Sequence, residues 1–82
     1  MSVRVLIYSR VDCKLCLEAE EIVRGILEEI SFDLEVIYID GDQGLERLYG
    51  EEVPVTLING AKHDYFRIEK KRFSEAILRQ HQ

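Results

Sequence analysis

The sequence predicts an α/β domain built on one mixed four-stranded sheet, in the order β-α-β-α-β-β-α with helices on both faces. Short β-branched runs alternate with segments whose apolar residues recur every three or four positions, the pattern of strands joined by crossover helices. Asn59-Gly60, between the last two extended runs, favours a two-residue antiparallel turn. The 82 residues are 46% hydrophobic and 33% charged with a single proline, the balance of a folded core. That length fits one domain, residues 1–82, and is too short for two.

Val3-Arg4-Val5-Leu6-Ile7-Tyr8 is mostly apolar and β-branched, as in a strand buried on both faces. From Leu15 the period changes: Leu15, Ala19, Ile22, Val23, Ile26, Leu27 and Ile30 step by three and four. Glu18, Glu20, Glu21, Arg24, Glu28 and Glu29 fall mostly on the other side, giving an amphipathic helix of about four to five turns. Leu34 to Ile39 is a second strand that stops at the turn-forming Asp40-Gly41-Asp42. Leu45, Leu48 and Tyr49 mark a short helix that Gly50 closes in a left-handed conformation. A third strand runs from Val53 to Ile58 and pairs across Asn59-Gly60 with a fourth from Lys62 to Ile68. Phe73, Ala76, Ile77 and Leu78 define a closing helix, with Gln80-His81-Gln82 frayed. Strands separated by helices imply right-handed parallel crossovers, and the terminal hairpin adds an antiparallel edge.

With 11 Lys+Arg against 16 Asp+Glu the net charge is -5, without a basic stripe, which argues against a nucleic-acid partner. No apolar run reaches the roughly 18 to 20 residues that cross a bilayer, and Met1 to Tyr8 is short for a signal-peptide core, so a soluble, cytoplasmic protein is expected. Lys70-Lys71-Arg72 reads as a solvated face or as a docking patch for an acidic partner. Tyr8, Tyr38, Tyr49 and Tyr65 read as core and edge aromatics, and His63 and His81 as exposed bystanders.

Chemistry concentrates in Cys13-Lys14-Leu15-Cys16, where the first strand hands over to the first helix. A cysteine at a helix N-terminus meets the positive end of the helix dipole and unpaired N–H groups, which favour thiolate over thiol. Cys13 is therefore the candidate nucleophile. Cys16, three residues on, is placed to attack a mixed disulfide at Cys13 and expel the reduced substrate. Arg10 and Lys14 add to thiolate stability and Asp12 opposes it, so a moderately lowered Cys13 pKa is expected. Two other readings stay open. Zinc needs four ligands, and only His63 and His81 are available to complete a set. Both cysteines also suit a core as small buried hydrophobes.

With that order of elements and those cysteines, the sequence resembles the thioredoxin fold, and within it the glutaredoxins and glutaredoxin-like proteins. Val5-Leu6-Ile7-Tyr8-Ser9-Arg10 leading into Cys13-Lys14-Leu15-Cys16, then Val53-Pro54-Val55, then Asn59-Gly60 carry the likeness over essentially the whole chain. The resemblance implies a cis Val53-Pro54 bond beside the cysteines, with the N–H and C=O of Val53 free to pair with an extended thiol peptide. It implies a glutathione-carboxylate contact for Arg10. It departs from glutathione-using glutaredoxins in the active-site pair Lys14-Leu15, where they carry Pro-Tyr, and in Asp64-Tyr65, where they carry Gly-Gly. The small glutaredoxin-like group with a non-proline C-x-x-C resembles more of the chain than do the glutaredoxin-like donors to ribonucleotide reductase, which share Phe66-Arg67.

The function these readings imply is thiol-disulfide exchange, with Cys13 and Cys16 catalytic and Arg10, Lys14, Val53 and Pro54 binding substrate. No metal or bound cofactor is expected, and glutathione enters as a co-substrate. The expected partners are a disulfide-containing protein or a glutathione mixed disulfide, with thioredoxin reductase as a source of electrons; no membrane is expected, and the protein is expected to be a monomer. The alternatives are a binding module with redox-idle cysteines, a reductase-dependent donor to ribonucleotide reductase, and an iron-sulfur cluster shared with glutathione across a dimer.

Overall fold

A computed structural model describes residues 3–81. In chain order the elements are β1 (Arg4–Ser9), α1 (Lys14–Leu27), β2 (Asp33–Tyr38), α2 (Gln43–Tyr49), β3 (Val55–Ile58), β4 (Ala61–Tyr65) and α3 (Lys70–Gln80). The order of elements is the one expected, and the four strands form one mixed sheet in the order β2-β1-β3-β4. β1 and β2 are parallel, with Ile7 beside Val36. β3 runs antiparallel to β1, with Val5 opposite Ile58 and Tyr8 opposite Val55, and β4 returns antiparallel to β3.

The direction of β3 corrects the expectation of a parallel crossover. α2 has seven residues and is therefore about 10 Å long, half the roughly 20 Å of a six-residue strand. It leaves the chain at the end of the sheet where β2 finished, so β3 starts there and runs back. That places the end of β1 and the start of β3 together, which matters for the site.

Alternation along β1 sorts the two faces. Val5 and Ile7 point to the face covered by α1 and α3, where they join Ala19, Val23, Ile26, Ile58, Phe73 and Ile77 in the main core. Tyr8 points to the other face, where its ring stacks on Tyr49 of α2 at 4.5 Å. Helices thus lie on both faces, with α2 covering only the Ser9 end. At the far end of the sheet an open cavity of about 520 Å³ is lined by Arg4, Leu6, Glu35, Leu57 and Gly60 among others. It holds no thiol.

Several boundaries differ from the sequence expectations for local reasons. α1 stops at Leu27, short of Ile30, because the N–H groups of Glu28 and Glu29 turn to the carbonyls three residues back, at 3.3 and 2.9 Å. Glu20 does not belong to the exposed face of α1; it is buried with Cys16, Ala19 and Val23. Gly50 caps α2 with φ -55, so the left-handed expectation is wrong there. The glycine is needed for space: a Cβ would overlap the Glu46 carbonyl oxygen and stand 3.4 Å from an Arg10 guanidinium nitrogen. β3 begins after Pro54, which has no N–H for a ladder. β4 ends at Tyr65 because Phe66 takes φ 64, which breaks an extended strand, and Ile68 is buried in the core instead. The hairpin residues Asn59 and Gly60 both have positive φ, 51 and 85, as the tight turn requires.

α3 is capped by Glu69, whose side chain accepts the Arg72 N–H at 3.0 Å. Leu78 is half exposed rather than part of the buried stripe of Phe73, Ala76 and Ile77. Helical order continues through Gln80, and the Nε2–H of His81 donates to the Ser31 carbonyl at 2.8 Å, so only Gln82 of the frayed segment expected there lies outside the described residues. In the basic cluster Lys70 reaches Glu29 at 4.0 Å and Arg72 reaches Asp64 at 3.1 Å, exposed pairs that contribute little stability each.

His63 is no bystander either: it is half buried and meets the Phe73 ring edge-on at 5.6 Å. Burial holds its pKa below the ordinary value, with the Arg72 and Arg79 charges adding and Asp64 opposing. The unfolded chain therefore takes up this proton more readily than the folded one, and stability is lost as pH falls below the unfolded value of about 6.5. Urea melts from about pH 7 down to about pH 5 are expected to show a falling midpoint, part of which disappears in His63→Asn. An identical pH slope in that variant excludes the effect.

Candidate functional site

The cysteines sit where β1 passes into α1. After Ser9 the chain makes a three-residue loop that is tied down when the Val11 N–H donates to Asp40 Oδ2 at 2.9 Å. Asp12 adopts φ 59, a left-handed conformation that Asp tolerates better than most residues, and this turns the chain into the helix. Cys13 is the N-cap of α1, and its Sγ accepts the Cys16 N–H at 3.1 Å. The Cys13 carbonyl accepts the first helical bond, from Leu17 N–H, also at 3.1 Å. Cys13 and Cys16 are joined as a disulfide, with Cα atoms 5.2 Å apart, within the span such bonds allow.

The two sulfurs differ in environment. Cys13 is partly exposed at the helix mouth, while Cys16 is fully enclosed, at 0% exposure. An N-cap sulfur already accepting an N–H is suited to carry negative charge. Lys14 is exposed on the first turn. Arg10 is directed to α2, where its guanidinium meets Glu46 at 3.5 Å and its Nε is buried without a partner among the described residues.

Pro54 is buried at the start of β3, and the Val53-Pro54 bond is cis. Since Tyr8 pairs with Val55, Pro54 falls next to Ser9 and so at the same end of the sheet as the cysteine loop. The Val53 N–H corrects one expectation: it donates to the Tyr49 carbonyl at 3.1 Å and is not free, because α2 ends just four residues earlier. Only the carbonyl of Val53 is left to meet an extended peptide. The Pro54 carbonyl and that of Glu52 share the N–H of Phe66, at 2.9 and 3.1 Å. This holds Phe66 in its positive φ and leaves its side chain 43% exposed. Val11, at 60% exposure, adds a second apolar side chain on the cysteine loop.

Among the described residues no three metal-ligating side chains converge. His81 meets Ser31, beyond the C-terminal end of α1, and is separated from Cys13 by the length of that helix, about 21 Å.

A glutaredoxin-like domain (DUF836) matches residues 4–78, from the start of β1 into the last turn of α3. The chain belongs to that family. This glutaredoxin-like domain is 28% identical to the uncharacterized protein Rv0508 of Mycobacterium tuberculosis, over 93% of this chain and 84% of that protein. Among solved structures it resembles protein Ne2328 of Nitrosomonas europaea, with a TM-score of 0.79 and 28% identity over 93% of this chain and 92% of the other. It also resembles the target protein XcR50 of X. campestris, with a TM-score of 0.78 and 28% identity over 92% and 96% of the two chains. A Halobacterium salinarum thioredoxin mutant superposes with a TM-score of 0.69 at 20% identity, over 93% of this chain and 72% of that one. The glutaredoxin-like domain therefore has the thioredoxin fold, and its disulfide at the mouth of α1 is consistent with a redox role.

Glu20, Ser9 and Phe66 are the residues near this end of the fold to which sequence reading gave no part in the site. Helical spacing carried a signal for Glu20: it lies four residues after Cys16 and three before Val23, inside the apolar stripe.

Proposed function

We propose that this domain is a dithiol thiol-disulfide oxidoreductase acting on protein disulfides in the cytoplasm. The reading rests on one observation, the joining of a partly exposed N-cap cysteine to a fully enclosed one by a disulfide. In the reduced protein the Cys13 thiolate attacks a substrate disulfide, forming a mixed disulfide and releasing the first substrate thiolate. Cys16 then attacks Cys13, forming the internal disulfide and releasing the second. Two electrons pass from the cysteine pair to the substrate, and thioredoxin reductase or glutathione returns them. Pro54 and the Val53 carbonyl orient the substrate strand beside Cys13, and Lys14 borders its path.

Protein substrates are favoured over glutathione by the side chains around the cleft. Asp64 is committed to Arg72, Tyr65 and Phe66 stack edge-on at 5.0 Å, and Arg10 is engaged with Glu46. A tripeptide thus meets bulk where glycines allow close approach, whereas a protein loop gains apolar contact with Phe66 and Val11. The test compares turnover of insulin disulfides and of a glutathione mixed disulfide by wild type and Cys16→Ser. Insulin reduction that is lost in Cys16→Ser supports dithiol exchange; glutathione turnover retained in that variant indicates monothiol chemistry instead. Inactivity of the wild type on both substrates overturns the oxidoreductase reading.

A further inference from the structure

Among the described residues one carboxylate side chain is buried, and it lies one helical turn below the enclosed cysteine. Glu20 is 8% exposed, in the stripe of α1 that also buries Cys16, Ala19 and Val23. Residues four apart on a helix have Cβ atoms about 6 Å from each other, and helical side chains lean toward the N-terminus, which aims Glu20 back along α1 toward Cys16. Its Oε2 accepts a hydrogen bond from the hydroxyl of Ser9 at 3.4 Å, and Ser9 is fully buried at the end of β1, where the cysteine loop departs. Its other oxygen faces Arg24 at 3.9 Å, a side chain 59% exposed. No charged side chain of β1, β2 or α3 comes within ion-pair reach of Glu20 among the described residues.

An apolar side chain at position 20 suits this core better than a carboxylate. Burying an ionised group is costly, and two long contacts return only part of that cost. The exchange chemistry, in contrast, needs a base at this depth. Cys16 is sealed from water, so when it acts its thiol proton has nowhere to go except to a neighbouring group. Glu20 is the acidic side chain on the same buried stripe.

We infer that Glu20 is the proton acceptor for Cys16 in the second step of exchange, held in place by the Ser9 hydroxyl. The inference rests on the oxidoreductase reading above. The Cys16 proton passes to the Glu20 carboxylate, and the thiolate attacks Cys13 Sγ. The bond between Cys13 and the substrate sulfur breaks, the internal disulfide forms, and the substrate thiolate leaves with the electron pair. Glu20 returns its proton to that thiolate or to solvent, so charge and protons balance.

The two steps can be separated with 5,5′-dithiobis(2-nitrobenzoate), one molecule per reduced protein, following release of the coloured thiolate in a stopped-flow instrument. The first equivalent reports attack by Cys13 and the second reports attack by Cys16. In Glu20→Gln, which keeps the size of the side chain and can still bond Ser9, the first phase is expected to stay within about twofold of wild type. The second is expected to slow by about tenfold or more near neutral pH, the scale of a lost general base. The gap is expected to narrow as pH rises well above the free-thiol value of about 8.5, because burial raises the pH at which a thiol ionises unaided. Ser9→Ala, which leaves the carboxylate but not its anchor, is expected to slow the same phase by a smaller factor and decides the matter if Glu20→Gln does not fold. A second phase unchanged in these variants, or slowed by one constant factor at every pH, overturns the role of Glu20 while leaving exchange intact. A wild type that releases only one equivalent overturns exchange itself.

Discussion

Cys13→Ser is expected to reduce disulfide turnover to the uncatalysed background, a loss of at least about three orders of magnitude, or roughly 4 kcal/mol of barrier at 1.36 kcal/mol per decade. Serine at this N-cap keeps the geometry, since its oxygen can accept the Cys16 N–H as the sulfur does. What it removes is the thiolate, and with it any mixed disulfide. Cys16 cannot substitute, because at 0% exposure it is closed to a protein substrate. A folding defect is separable from this chemical loss. The loop that the disulfide closes is only four residues long, which in the chain-entropy treatment corresponds to about 2 kcal/mol. Oxidised wild type should therefore melt above both reduced wild type and Cys13→Ser, and those two should melt together. Turnover in Cys13→Ser above a few per cent of wild type would remove Cys13 from the role of nucleophile.

Phe73→Ala is expected to be the most damaging core substitution. Phe73 is fully buried, lies edge-on to Phe32 at 6.2 Å and to His63 at 5.6 Å, and joins α3 to the rest of the core. Truncating a buried phenylalanine to alanine costs about 3 to 5 kcal/mol in lost transfer energy and residual cavity. An 82-residue chain has roughly 4 to 12 kcal/mol of total stability at about 0.05 to 0.15 kcal/mol per residue. The variant is thus expected to be partly unfolded at room temperature or to melt about 15 to 30 °C lower, at the roughly 4 to 8 °C per kcal/mol of a domain this size. Phe73→Leu should recover more than half of the loss by refilling most of the volume. Denaturant midpoints for the pair measure this, and a loss below about 1 kcal/mol in Phe73→Ala would mean that α3 is not held by this ring.

The strands and helices were legible because each rests on local pattern: β-branched runs for β1 and β2, a 3.6-residue period for α1, and a short hairpin signal at Asn59-Gly60. What was not legible depends on distance and space. The direction of β3 follows from how far α2 can carry the chain, and glycine at position 50 answers to the Glu46 carbonyl rather than to a left-handed turn. In the site, the cysteine pair and its place at a helix mouth could be read from Cys13 to Cys16 alone, whereas their unequal exposure could not. Arg10 shows the limit most directly. Its position three residues before Cys13 gives no sign of Glu46, the partner 36 residues away in sequence to which its guanidinium is turned. The Val53 N–H was likewise taken up by a carbonyl that only the path of α2 brings near.

The unequal seating of the two sulfurs also governs what happens under oxidative insult. Peroxide is expected to reach only the outer atom and convert it to a sulfenic acid, with which the inner thiol, within bonding distance, condenses and expels water. The ladder toward sulfinic and sulfonic acids is cut at its first rung, and the lesion becomes the same disulfide that an ordinary reductant clears.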